Sequence, residues 1–253
     1  MKIDIILCGV GGMGALSSAA IISKAALDMG WYMKQAETHG MSQRGGDVQS
    51  HLRISDKPIA SDLIPEGECD IILSVEPMEA LRYLPFLSKD GWVITNENPF
   101  INIPNYPEKE AIIAEINKLP HSIVFDADTI AKEVHNPKGT NMVVLGAASK
   151  YLGIDIEKLE DAVRSNFGRK GEAIVNMNYE AVDRGISNLH AVEIPATWAE
   201  AADEAKEVKE VPEFIENILI PMNKQEGDSL PVSAFKDMPD GTFPSGTAAY
   251  EKR

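Results

Sequence analysis

The sequence predicts an α/β fold: a three-layer sandwich around a Rossmann-like, mostly parallel but mixed sheet, with an acidic, extended C-terminal tail. Three observations predict it. Short apolar runs, such as residues 3–8 and 70–74, alternate with helical stretches, the pattern that places helices on both faces of a sheet. The first run passes through Gly9-Val10-Gly11-Gly12-Met13-Gly14 directly into a helix rich in Ala, Ile and Leu. Beyond Leu189 the composition turns acidic and then Pro/Gly-punctuated. The expected division is a folded domain over residues 1–189 and an acidic linker and partner-docking tail over residues 190–253.

Taken in order, residues 3–8 read as a buried parallel strand. Residues 15–29 follow as a helix and 31–36 as a strand. Residues 48–54 alternate like a strand exposed on one face. Strand, loop, strand is the mark of a hairpin-like insertion, hence the mixed sheet. Residues 57–61 add a candidate edge strand. Residues 70–74 are the next buried strand. Glu76-Pro77 opens a helix to about Leu87, with Pro where it costs no hydrogen bond. Lys89-Asp90-Gly91 is read as a turn into a strand at 92–95. Residues 96–107 form a polar, proline-rich loop. A helix (108–119), a strand (121–125) and a helix (126–134) follow. Residues 141–151 are a buried alanine-rich helix. Asp155 caps a helix through about Phe167, and 172–186 is the last long one. In the tail, 212–222 could form a short amphipathic helix, while 227–235 and 240–253 read as extended.

Composition excludes several functions. The 253 residues carry 24 basic and 39 acidic side chains, a formal charge of -15. That balance opposes nucleic acid and anionic membrane surfaces. No apolar run reaches the roughly 20 residues needed to span a bilayer, and the N-terminus lacks a signal-peptide layout. Cys8 and Cys69, the two cysteines, fit a reducing cytoplasm. They cannot ligate an iron–sulfur cluster that takes four thiolates. Residues 190–253 hold 13 acids and 6 bases, a net of −7.

Two stretches carry the candidate chemistry. In the first, Gly9, Gly11, Gly12 and Gly14 make the strand–turn–helix geometry in which free N–H groups converge on one spot. The spacing of Gly9, Gly11 and Gly14 satisfies the dinucleotide pattern, and Glu37 lies about where a ribose-binding acid would sit. Tight packing of the first helix on the first strand explains the same glycines. A free-standing NAD or FAD enzyme is therefore the alternative reading. The second stretch runs from Ala36 to Arg53 and holds Gly40, Ser42, Gln43, Arg44, Gly45, Gly46 and Asp47. Arg44 beside Gly45-Gly46 could reach a phosphate or carboxylate in fork geometry, or make an intersubunit salt bridge. His39 and His51 flank the loop as polar groups; a metal site needs three or four convergent ligands, and nothing supplies them. Cys8 reads as an inert core thiol. Asn96, Glu97 and Asn98 could line a polar rim at the strand ends or a plain loop, and Lys170 could meet a partner or solvent.

Together, Gly9–Gly14 and the segment Glu37-Thr38-His39-Gly40-Met41-Ser42-Gln43-Arg44-Gly45-Gly46-Asp47-Val48 resemble the gamma-type domain of 2-oxoacid:ferredoxin oxidoreductases, most of all the small subunit of the indolepyruvate enzymes. The resemblance covers roughly residues 1–190. The tail, with Leu230-Pro231-Val232-Ser233-Ala234-Phe235, Asp240-Gly241-Thr242-Phe243-Pro244 and the terminal Glu251-Lys252-Arg253, resembles instead the connector of single-chain pyruvate:ferredoxin (flavodoxin) oxidoreductases. There it leads into a cysteine-rich domain, so a split or truncated form of a longer chain is expected. The resemblance implies oxidative decarboxylation of a 2-oxo acid, indolepyruvate or alternatively pyruvate, to acyl-CoA, CO2 and reduced ferredoxin. Thiamine diphosphate, Mg and [4Fe-4S] clusters are implied on partner chains, because no Gly-Asp-Gly segment or cysteine set for them exists here. The implied role is docking and closure of a partner's active site within a hetero-oligomer, with Ser42, Gln43 and Arg44 bordering the coenzyme A approach. The partner is a large thiamine/iron–sulfur subunit, with ferredoxin reached indirectly.

Overall fold

The computed structural model describes residues 1–37, 45–101, 103–188, 212–223, 227–236, 238 and 244. It contains two compact units, divided between Ala201 and Ala202.

Among the described residues, the first unit is built on six strands: β1 (Lys2–Val10), β2 (Tyr32–Glu37), β3 (Asp47–Ser55), β4 (Cys69–Ser74), β5 (Leu87–Asn96) and β6 (Ser122–Phe125). Their order across the sheet is β2-β3-β1-β4-β5-β6. β1, β4, β5 and β6 run parallel to one another, whereas β3 pairs antiparallel with both β1 and β2. The hairpin-like insertion and the mixed sheet expected from the sequence are both present.

Among the described residues, seven α-helices cover the sheet: α1 (Ala15–Asp28), α2 (Pro77–Arg82), α3 (Lys109–Asn117), α4 (Ala127–Glu133), α5 (Thr140–Leu152), α6 (Ile156–Phe167) and α7 (Glu172–Asn188). Two cores separate the layers. One joins α1, α4, α5, α6 and α7 to residues such as Leu7, Leu52, Leu73 and Ile94. The other joins α2 and α3 to Ile6, Cys8, Ile72 and Val93 on the opposite face. Successive strand residues therefore feed opposite layers, as the pleat requires. Gly146 and Gly185 allow α5 and α7 to touch at the backbone: a Cβ on either would lie 2.1 Å from a carbonyl oxygen of the other helix.

Several elements differ from the sequence reading. Residues 57–61 are not a strand; Lys34 Nζ donates to the Ala60 carbonyl across this segment instead. The helix opened by Glu76 ends at Arg82. Pro85 then sits in a separate 3-10 turn, Leu84–Phe86, because proline cannot continue an α-helical hydrogen-bond ladder. Lys89-Asp90-Gly91 is not a turn but lies within β5, where Leu87 pairs with Cys69 and Trp92 with Ile71. The intervening residues are absorbed as a register irregularity. Asp155 occupies the N-cap position of α6 without a side-chain bond to it.

In the second unit, the expected helix near 212–222 is a π-helical turn, Ile215–Leu219, continued by α8 (Ile220–Asn223). Part of the segment read as extended is wound instead, into 3-10 turns at Gly227–Ser229 and Val232–Phe235. Their hydrogen bonds are local, Leu230 N to Gly227 O and Ala234 N to Pro231 O. Proline and glycine punctuation blocks long helices but permits single turns.

Among the described residues, no helix is long and apolar enough to cross a membrane.

Candidate functional site

The parallel strands β1, β4, β5 and β6 end on one edge of the sheet, and α1 and α2 leave the neighbouring strands β1 and β4 towards opposite layers. Open α/β sheets bind ligands in the crevice at such a switch point. The glycine turn lies there. Gly14, the N-cap of α1, has φ +88, a conformation that L side chains avoid. A Cβ on Gly14 would also fall 2.7 Å from Asn141 Nδ2. Asn141, at the start of α5, donates through that nitrogen to the Gly14 carbonyl at 3.0 Å and to Ser18 Oγ at 3.3 Å. The N-termini of α1 and α5 are thereby tied together.

The second candidate stretch meets the first. The Gly11 N–H donates to the Gly46 carbonyl at 2.8 Å, and the Gly45 N–H to the Gly11 carbonyl at 3.1 Å. These bonds extend the β1–β3 ladder past its last register pair, Val10 with Asp47. Asp47 is exposed, and its Oδ2 accepts from the Tyr83 hydroxyl at 3.4 Å. Gly45, Gly46 and Asp47 thus join the turn formed by Gly9, Gly11, Gly12 and Gly14. Gly40, Ser42, Gln43 and Arg44 lie outside the described residues, as does His39.

A cleft of about 680 Å³ opens beside the turn, lined among others by Gly12, Gly14, Phe100, Lys138, Asn141 and Lys170. Lys138 and Lys170 are exposed, and the Lys170 ammonium lies 5.3 Å from the Phe167 ring centroid. Two cations, two helix N-termini and two phenyl rings suit an anionic ligand that carries a flat ring. Glycine-only spacing draws attention to the turn but not to Lys138, Asn141 or Phe100. The polar segment Asn136-Pro137-Lys138-Gly139-Thr140-Asn141 ahead of an apolar helix is the sequence signal that could have found the first two. Lys170, singled out in the sequence, does line the cleft.

The dinucleotide alternative fits the geometry poorly. Gly11 spends its N–H on Gly46, so that amide is not available to a pyrophosphate. The antiparallel β3 stands between β1 and β2, which displaces Glu37 by one further strand spacing, about 4.8 Å, from the turn. The Glu37 carboxylate is also engaged by Gln35 Nε2.

Other sequence candidates have structural partners. Asn96 is fully buried; its Oδ1 accepts from the Ala127 N–H at 3.0 Å and its Nδ2 donates to Asp128 Oδ2 at 3.2 Å. Glu97 pairs with Lys109 at 2.8 Å, and Asn98 Nδ2 donates to Asp126 Oδ1 at 2.7 Å. His51 Nδ1 accepts from the Ile64 N–H at 3.1 Å, and its ring meets Phe86 edge-on at 5.3 Å. Burial pushes the Cys8 thiol well up and the Cys69 thiol to about 12. Both are free, buried core residues. Among the described residues no group of three His, Cys, Asp or Glu could hold a metal ion.

Residues 4–188 match the family described as pyruvate ferredoxin/flavodoxin oxidoreductase. The chain belongs to this family. Residues 201–253 match a second family, EKR, described as a domain of unknown function. The chain is 40% identical over 194 residues to indolepyruvate oxidoreductase subunit IorB of Archaeoglobus fulgidus, covering 73% of this chain and 94% of that one. It is 34% identical over 253 residues to the pyruvate-flavodoxin oxidoreductase of Enterobacter agglomerans, covering 96% of this chain but 21% of that protein. Among solved structures, the keto/oxoacid ferredoxin oxidoreductase gamma subunit of Geobacter sulfurreducens superposes with TM-score 0.56 at 25% identity, over 75% of this chain and 99% of that one. The fold is shared too with a 2-oxoglutarate:ferredoxin oxidoreductase from Magnetococcus marinus, solved with 2-oxoglutarate, coenzyme A and succinyl-CoA bound (TM-score 0.60, 22% identity, 76% of this chain and 31% of that one). The oxidoreductase gamma-domain resemblance, the mixed α/β sandwich and the tail's resemblance to the pyruvate enzymes are borne out; the likeness to the pyruvate enzyme extends beyond the tail to 96% of this chain.

Proposed function

We propose that this family member acts as a docking and closing subunit of a 2-oxoacid:ferredoxin oxidoreductase in the cytoplasm. The reaction is oxidative decarboxylation: a 2-oxo acid, coenzyme A and two oxidised ferredoxins give acyl-CoA, CO2, a proton and two reduced ferredoxins. Indolepyruvate is the first substrate to test, and pyruvate the second. Thiamine diphosphate, Mg and the [4Fe-4S] clusters belong to the large partner chain in this reading.

The observation that carries it is the 40% identity across 94% of an indolepyruvate oxidoreductase subunit. Pyruvate keeps its place because the likeness to the pyruvate enzyme extends to 96% of this chain, including the tail. Coenzyme A enters through the cleft. Its phosphates carry the charge that Lys138, Lys170 and the N-termini of α1 and α5 would attract, and its adenine is a ring that Phe100 or Phe167 could face. Ser42, Gln43 and Arg44 precede Gly45 in sequence and border the same approach in this proposal. The acidic tail, residues 190–253, is proposed to lie on the partner chain.

The test is reconstitution with the large chain. Lys138→Ala should raise the KM for coenzyme A several-fold while leaving the KM for the 2-oxo acid unchanged. An unchanged coenzyme A KM in both Lys138→Ala and Lys170→Ala would remove the cleft from the proposal.

A further inference from the structure

Glu76 is a buried carboxylate for which the proposed role has no use. It follows β4, is fully buried, and pairs with no cation among the described residues. Burial raises its pKa against the opposing pull of its hydrogen bonds, first that of Tyr106. Isolated buried charge is costly unless donors converge on it, and here three do. Oε2 accepts from the Glu79 N–H at 2.8 Å, capping α2. Oε1 accepts from the Phe100 N–H at 3.4 Å and from the Tyr106 hydroxyl.

Phe100 and Tyr106 both belong to the connection between β5 and α3. One carboxylate oxygen therefore holds that connection at two points, one of them the backbone of a cleft-lining residue. The Phe100 side chain is 44% exposed and contributes to the cleft beside Gly12 and Gly14. Among the described residues, the Phe100 backbone makes no other hydrogen bond.

We propose that Glu76, acting through Tyr106 and the Phe100 amide, is a positioning residue that fixes the Phe100 side of the cleft and so sets how tightly the acyl acceptor is held. This rests on the acceptor reading given above. Both carboxylate oxygens are needed, because an amide in its place could accept through one oxygen only and would turn N–H groups towards a donor.

The test uses the reconstituted complex and the full chain. Tyr106→Phe removes one of the two bonds to Oε1 and leaves the α2 cap intact. It should raise the acceptor KM roughly three- to ten-fold, the effect of losing about one hydrogen bond, with kcat and the KM for the 2-oxo acid within two-fold. Hydrogen exchange in the peptide spanning 97–107 should speed up in the full chain. Glu76→Gln should do the same more strongly; if it fails to fold, Tyr106→Phe carries the test alone. Faster exchange with an unmoved acceptor KM, while Lys138→Ala raises that KM, overturns the positioning role and leaves the acceptor reading standing. An acceptor KM that Tyr106→Phe, Lys138→Ala and Lys170→Ala all leave unmoved overturns both. A uniform loss of kcat and of thermal stability, without a KM split, reduces Glu76 to a structural residue and also overturns the proposal.

Discussion

The Asn141 amide nitrogen sits 3.0 Å from the Gly14 carbonyl oxygen, joining residues 127 positions apart. Gly14 ends the turn after β1, and Asn141 starts α5, so this bond sets the spacing of two helix N-termini beside the cleft. Asn141 is 5% exposed. Asn141→Ala should cost about 1–2 kcal/mol in urea denaturation, the loss of its buried hydrogen bonds. Ser18 loses a partner with it.

Gly14→Ala should be worse than Asn141→Ala. It adds a Cβ against Asn141 and forces a side chain into φ +88. Strain of roughly 1–3 kcal/mol is expected. The double variant Gly14→Ala with Asn141→Ala should recover the steric part but not the conformational part, read as a coupling energy in a double-mutant cycle.

At the other edge of the sheet, Arg53 binds Asp4 in fork geometry, Nε to Oδ1 at 2.8 Å and a terminal nitrogen to Oδ2 at 2.9 Å. Asp4 is fully buried. Arg53→Met should destabilise by about 3–5 kcal/mol, because it leaves that charge without its main partner. Arg53→Met combined with Asp4→Leu should cost less than Arg53→Met alone. Both are measured by chemical denaturation.

His51 makes stability depend on pH. Burial lowers its pKa, with Arg53 adding to the effect, and the Ile64 N–H requires an unprotonated Nδ1. The unfolded chain takes up this proton near the ordinary value of about 6.5, the folded chain only at lower pH. Its contribution is therefore complete above about pH 6.5 and is lost as pH falls through the folded value. His51→Asn should flatten the acid limb of a stability–pH profile while keeping an acceptor for Ile64.

The alternation of apolar runs and helical stretches made the sandwich readable, because strands buried on both faces leave continuous apolar segments such as 70–74. The mixed sheet was readable from the polar segment between β2 and β3. What escaped the sequence depended on distant pairings. Lys89-Asp90-Gly91 has turn chemistry, yet β4 holds it in the sheet. The cleft escaped for the same reason: Lys138 and Phe100 become neighbours of Gly12 only after β5, α3 and β6 are in place. Glu37 looked like a ribose-binding acid by distance along the chain, but strand order moves it away.

The most direct test mixes this chain with the large thiamine/iron–sulfur chain and follows ferredoxin reduction dependent on a 2-oxo acid and coenzyme A. The account predicts no reduction by this chain alone and activity that rises with its addition to the large chain until a fixed ratio is reached. A large chain that is fully active without it, or this chain turning over alone on a nicotinamide or flavin of its own, would contradict the account.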